Sequence, residues 1–339
     1  MAEATYAKIL DLIISGQDLS FEAMRAVMQQ VMSGELTPVQ ISALLVALRI
    51  KGETVNEIAA AATVMREIST KVIIQDATHL IDTCGTGGDG IQTFNVSTVS
   101  AFVAAAAGAK VAKHGGRSVS SKCGSADVLE ALGIQLNLTP EQVADCVNKI
   151  GVGFMFAPNH HSAMKHAAAV RRELGVRTLF NLLGPLTNPA NAKRQLIGVF
   201  SKELTLKLAY VLQALGSLHV LVVCGADGMD EISFSGDTFV AELKDGAVSQ
   251  YTLNPAQFDL PLHDLASIQV QNAEASKTKI LQVLAGELIP ARDIVLLNAG
   301  AAIYVAGIVD SLQAGVKKAA QVIDNGLALT KLNALKSIA

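Results

Sequence analysis

The apolar positions of the first 70 residues recur at helical spacing. In "SFEAMRAVMQQVMSG", Met24, Val27, Met28, Val31 and Met32 fall on one stripe, which Gly34 closes. "TPVQISALLVALRIKG" opens with Thr37 as cap, Pro38 in the first turn and Gln40 three residues after the cap, and Gly52 ends it. "TVNEIAAAATVMREI" repeats this arrangement with Thr54 and Glu57. The pattern predicts a small all-helical domain over residues 1–70, joined by further helical segments from about 162 to 190. Its apolar faces are broad. They can meet one another and the rest of the chain, or a partner subunit.

From about residue 72 the pattern changes. Short apolar runs, "THLI", "KVAKHGG", "VGFMFAP", "RQLIGVF" and "LHVLVVCG", alternate with helical segments such as "NVSTVSAFVAAAAGA", "SADVLEALG" and "TPEQVADCVNKIG". Residues 232–254 alternate like small antiparallel strands, and the last 50 residues read as helix. The predicted fold class is α/β: the small helical domain plus a large α/β domain over residues 71–339, with a central, mostly parallel sheet flanked by helices. Ligands of such sheets sit at the C-terminal ends of the strands.

Three segments at predicted strand ends carry polar chemistry. "DTCGTGGDG", residues 82–90, holds four glycines between two aspartates. Glycines there let the backbone approach a ligand and aim its N–H groups at anionic oxygens. The helix that begins near Asn95–Val96–Ser97–Thr98 adds free N–H groups, its dipole and two hydroxyls. No Lys-Ser/Thr follows the glycines and the spacing is not GxGxxG, so neither common nucleotide loop applies. Asp89 would repel a phosphate unless it takes a sugar hydroxyl or helps hold a cation. The second segment, "AKHGGRSVSSKCGSADVLEALG", reads as a basic, hydroxyl-rich loop after a strand. The third, "CGADGMDEISFSG", places Asp230 beside Glu231, and adjacent acids suit magnesium. Together they describe a magnesium–pyrophosphate pocket. A fourth segment, residues 170–190, contains Arg171, Arg172 and Arg177. One arginine can grip a carboxylate as a bidentate fork. The other two read as helix-surface or ion-paired side chains.

Composition narrows this picture. Half of the 339 residues are apolar, enough for one large or two unequal domains. The balance of 27 basic against 30 acidic residues, with no Lys/Arg block, gives no reason to expect nucleic acid or a membrane surface as partner. "DIVLLNAGAAIYVAGIVDSL" comes nearest to a membrane span, but its acids and Asn298 favour a buried helix. Cys84, Cys123, Cys146 and Cys224 lack metal-like spacing. Without an export signal at the start, reduced thiols in the cytoplasm are the expectation.

Over essentially its whole length the sequence resembles the anthranilate phosphoribosyltransferase family. The resemblance rests on "GTGGD", "NVST", "KHGGRSVSS" with "GSAD", "VRRELGVRTLFNLLGPLTNP", "DGMDEIS" and "NAGAA", in that order. It implies a homodimer formed through the N-terminal helices. It also implies phosphoribosyl transfer from phosphoribosyl pyrophosphate to the amine of anthranilate, with magnesium, two ions per subunit. By that resemblance, phosphoribosyl pyrophosphate meets Gly85, Gly88, Asp89, Thr93, Asn95, Val96, Ser97, Thr98, Lys113, His114, Gly115, Gly116, Arg117, Ser118, Val119, Ser120, Ser121 and Ser125. Gly85, Gly116 and Arg171 would meet anthranilate, and Ser97, Asp230 and Glu231 would serve magnesium. No residue is expected to act as a covalent nucleophile. The sequence departs from the family at Gly116, usually Asn, and at Cys224, often His. A pyrimidine nucleoside phosphorylase and a non-enzymatic nucleic-acid-binding relative are the alternatives. The intact "GTGGD" and "DE" argue against both.

Overall fold

The computed structural model describes residues 5–117 and 123–338. Four helices come first: α1 (Tyr6–Ile14), α2 (Phe21–Ser33), α3 (Pro38–Lys51) and α4 (Val55–Ile68). The predicted caps form. Thr37 and Gln40, and Thr54 and Glu57, make reciprocal capping boxes, which satisfy backbone N–H groups that the first turn leaves free. Glu57 does more than cap. It is fully buried, accepts from the Leu19 N–H at 2.8 Å and pairs with Lys51 at 3.0 Å, so α3, α4 and the α1–α2 connection are locked together.

The remaining chain runs β1 (Leu80–Gly85), α5 (Val96–Ala106), β2 (Lys110–Gly115), α6 (Ser125–Ala131), α7 (Pro140–Lys149), β3 (Val152–Phe156) and α8 (Ala157–His160). Next are α9 (Lys165–Leu174), α10 (Leu179–Leu186), β4 (Arg194–Gly198), α11 (Lys202–Ala214), β5 (His219–Gly225), β6 (Thr238–Lys244) and β7 (Ala247–Leu253). Four helices close the chain: α12 (Ala273–Leu284), α13 (Pro290–Val305), α14 (Leu312–Asp324) and α15 (Leu327–Lys336). The expected antiparallel pair is the β6–β7 hairpin alone; residues 232–237 stay outside it.

The seven strands lie in the order β3-β2-β1-β4-β5-β6-β7. β1 to β5 pair in parallel, and β6 and β7 antiparallel. Successive residues of a strand face opposite ways, so the sheet divides between two cores. Leu221 and Val223 join α5 and α13 on one face. Val220, Val222 and Cys224 join α11, α10 and the N-terminal helices on the other. α9 packs on α2 and α3, and α10 on α3 and α4. The sequence that resembled a membrane span is α13, buried along nearly its whole length. Among the described residues no helix is long and apolar enough to cross a membrane.

The chain first winds outward from β1 through β2 to β3, then returns to place β4 on the other side of β1. The β1/β4 boundary is therefore the point where strand order reverses, and a crevice opens there because the two following connections leave in opposite directions. The glycine run starts at this boundary.

Candidate active site at the strand-order reversal

Gly85 of β1 and Gly198 of β4 are register partners. Neither has a side chain, and the space is filled by Asp230. A β-carbon on Gly198 would overlap the Asp230 carbonyl, and one on Gly85 would overlap its carboxylate. The paired glycines thus make a notch that draws the acid turn after β5 onto the end of β1. Beyond it the chain turns through Gly87, Gly88 and Gly90, at φ +64°, +77° and +80°. Side chains other than glycine rarely adopt such values, which explains the glycine spacing.

The turn is tied down on several sides. Thr86 donates its N–H to the Gly198 carbonyl at 2.9 Å, and Gly87 donates to Asp230 Oδ2 at 2.7 Å. Asp89 accepts from the Ile91 N–H at 3.1 Å. Glu231 accepts from the Ser97 N–H, at the first turn of α5, at 3.1 Å. Lys113 donates to Ser97 Oγ at 3.0 Å and to the Thr83 carbonyl. Glycine turn, helix start, β2 lysine and acid pair therefore form one connected cluster.

Desolvation in this recess raises the Asp230 carboxyl above its ordinary range, reinforced by the nearby Asp89. The same burial, with Asp230 next to it, raises Glu231; Lys113 opposes this. Two carboxylates crowded by a third acid, with one lysine against them, make a site that gains from a hard divalent cation with oxygen ligands. Asp230, Glu231 and the Ser97 hydroxyl fit magnesium on this ground.

Lys113, His114 and Gly115 belong to β2 itself, not to a solvated loop as the sequence suggested, and Lys113 and His114 are buried. The fully buried Asp82 accepts from the His114 backbone N–H at 3.3 Å and bonds its Nδ1 at 3.1 Å. Asp82, Cys84 and His114 bring ligand atoms within 4.8 Å of one another. Since Asp82 is already engaged by His114, this group braces the strand end. His114 also meets the His161 ring edge-on, centroids 6.0 Å apart. His161 is buried with neither ring nitrogen paired, and burial lowers its pKa to about 3. Thr86 and Thr98 likewise carry buried hydroxyls without partners. Such atoms are rare in a finished core and mark places a ligand can satisfy.

The other predicted residues divide clearly. Asn95 spends its side chain inside the protein: Nδ2 donates to the Cys123 carbonyl at 3.2 Å, and Oδ1 accepts from Ser276 at 2.7 Å. Val96 and Thr98 are buried, so Val96 can offer a ligand only its backbone. Thr93 bridges to Gln269. Ser125 donates to the Gly116 carbonyl at 3.4 Å. Arg117 is paired with Asp127 at 3.0 Å and Glu130 at 2.9 Å. Ser118, Val119, Ser120 and Ser121 lie outside the described residues. Arg171, on α9, lies over Phe180 at 5.5 Å; burial lowers its pKa, and none of the described acids pairs with it. Arg172 is exposed, as expected. Arg177 corrects the sequence reading. It is neither surface nor ion-paired, but donates to the Gly88 carbonyl. Gly198 and Ser276 were also missed. The "IG" ending a strand was a weak signal for the first; nothing local marked the second.

Two family models match the chain, the glycosyl transferase family helical bundle domain over residues 7–69 and its a/b domain over residues 77–329. The chain is 64% identical over 329 residues to the anthranilate phosphoribosyltransferase of Methylobacillus flagellatus, covering 97% of this chain and 96% of that one. Against the enzyme of the same name from Chromobacterium violaceum it is 58% identical over 326 residues, 96% and 95% of the two chains. The crystal structure of anthranilate phosphoribosyltransferase from Thermus thermophilus superposes with a TM-score of 0.92 at 43% identity, over 97% of this chain and 98% of that chain. The Saccharomyces cerevisiae enzyme in complex with PRPP and Mg superposes at 0.88 with 29% identity, over 98% and 97%. With both its domains matched and its length shared with these relatives, the chain belongs to the glycosyl transferase family, among the anthranilate phosphoribosyltransferases.

Proposed function

We propose that this chain transfers the 5-phosphoribosyl group of phosphoribosyl pyrophosphate to the amine of anthranilate. The products are N-(5-phosphoribosyl)anthranilate and pyrophosphate, and the reaction is the second step of tryptophan synthesis from chorismate. The observation that carries the reading is the cluster at the strand-order reversal, where the N–H groups of Gly87 and Ser97 converge with Lys113, Asp230 and Glu231.

In this reading the glycine turn and the start of α5 receive the diphosphate. Lys113 and the helix dipole stabilise its charge as the bond from C1 to pyrophosphate lengthens and the ribose gains oxocarbenium character. Magnesium held by Ser97, Asp230 and Glu231, two ions per subunit, would neutralise the diphosphate. Arg171, unclaimed by the described carboxylates, takes the anthranilate carboxylate and turns the amine toward C1. An aromatic amine is already neutral near pH 7, so no side chain has to activate it, and none acts as nucleophile. Gly116 leaves open space in the acceptor region, since a β-carbon there would touch nothing.

The helical part, residues 1–70 with segments from 162 to 190, is assigned to homodimer formation. Ile14, Val39, Ile50 and Val176 support this, being large apolar side chains at 69%, 78%, 81% and 56% exposure. The cytoplasm is the assigned location.

The test is anthranilate fluorescence followed with phosphoribosyl pyrophosphate and magnesium, beside substituted aminobenzoates. Consumption that needs all three components is expected. Fluorescence that stays constant, or phosphate-dependent cleavage of uridine or thymidine instead, would overturn the assignment.

A further inference from the structure

Arg177 lies in the short connection between α9 and α10. Three contacts fix it there. Its Nη2 donates to the Gly88 carbonyl, its guanidinium carbon stands 3.9 Å from the centroid of Phe200, and its own carbonyl accepts from Arg49 Nη1 of α3 at 2.7 Å. The Gly88 carbonyl shares a planar trans peptide with the Asp89 N–H, and the two point in opposite directions. Fixing one therefore aims the other. At the opposite end of the turn, Asp230 fixes the peptide of Gly87 in the same way. The glycine turn, conformationally loose by composition, is thus bracketed by an acid on one side and an arginine on the other.

We propose that Arg177 is a positioning residue for the sugar diphosphate. It sets the Gly88–Asp89 peptide so that the Asp89 N–H faces the diphosphate oxygens, and through Arg49 it couples that setting to the helical domain. The inference rests on assigning the glycine turn to phosphoribosyl pyrophosphate. Arginine suits the task because its planar group can stack on Phe200 while an edge donates; lysine offers a point charge without either property.

Steady-state kinetics with each substrate varied, on Arg177→Met, Arg177→Lys, Phe200→Leu and Asp89→Asn, test it. Arg177→Met is expected to raise KM for phosphoribosyl pyrophosphate about tenfold, the scale of one charge-assisted hydrogen bond. KM for anthranilate and kcat should stay within about twofold, and thermal stability should be nearly unchanged, since only one partly exposed contact is lost. Arg177→Lys should resemble Arg177→Met. Full recovery by lysine would mean that positive charge alone acts, and would overturn the proposal. Equal rises in both KM values, or no change in either, would also overturn it. Phe200→Leu keeps the arginine but removes its platform. It should shift the same KM in the same direction, and it decides the matter if the Arg177 variants fail to fold. Asp89→Asn separates the two levels of the argument. If it too leaves the phosphoribosyl pyrophosphate KM unchanged, the assignment of the turn fails; if it raises that KM while Arg177→Met does not, only the role of Arg177 fails.

Discussion

Gly87 donates its backbone N–H to Asp230 Oδ2 at 2.7 Å, across 143 residues of sequence. Glu231 holds the Ser97 N–H in the same manner. The two N–H groups assigned to the diphosphate are thus satisfied by the two acids assigned to the metal. The acids pair backbone donors that would otherwise lack a partner, and a cation that claims them frees the donors for phosphate oxygens. Diphosphate binding should therefore depend steeply on magnesium. Calorimetric titration of phosphoribosyl pyrophosphate should give at least roughly tenfold weaker binding without the ion. Equal affinity with and without it would contradict this arrangement.

Replacing both acids, Asp230→Asn with Glu231→Gln, retains acceptors for Gly87 and Ser97 but removes the charge. Turnover should fall about a hundredfold or more, partly recovered by excess magnesium. Thermal stability should hold or rise, because the repulsion between Asp230 and Asp89 disappears. Parallel kinetics and thermal unfolding check both halves; unchanged kinetics would remove the pair from the mechanism.

Gly116→Asn places a side chain where a β-carbon meets nothing. It should fold normally and lower KM for anthranilate a few-fold, more than KM for phosphoribosyl pyrophosphate, by adding one polar contact. An equal effect on both substrates would place the position away from the acceptor.

Gly198→Ala should do the opposite. Its β-carbon would overlap the Asp230 carbonyl, where backbone rather than a flexible side chain must move. A loss of about 3 kcal/mol or more, or displacement of the acid turn with loss of magnesium response, is expected. Urea unfolding with and without the ion distinguishes these outcomes, and wild-type behaviour in both would refute the notch.

His161 supplies a pH signature. Burial lowers its pKa from 6.5 to about 3. Between these values the unfolded chain binds a proton that the folded chain refuses, so stability falls as pH falls, by up to about 1.4 kcal/mol per unit from this group. Above pH 6.5 it contributes no slope. His161→Asn should flatten the acid side of a plot of urea midpoint against pH. In the wild-type protein the His161 ring should show no NMR titration between pH 5 and 8.

The glycine turn was legible because its cause is local: positive φ at Gly87, Gly88 and Gly90 selects glycine whatever surrounds it. The capping boxes at Thr37, Thr54 and Thr139 were legible for the same reason, each closing within four residues. Lys113 and His114 were found as site residues but placed in the wrong surroundings. A basic run with glycines reads as a solvated loop until the neighbouring strands bury it.

The sequence by itself determined the alternation of helix and strand, the glycine turn, the acid pair and the family. Each depends on side-chain chemistry and spacing over a few residues. Only the tertiary structure decided that Gly85 and Gly198 make a notch for Asp230, that Ser276 pins Asn95 and that Arg177 holds Gly88. Those partners stand far apart in the chain. Their meeting follows from strand order and the packing of helices on two faces of the sheet, which short-range preferences do not encode.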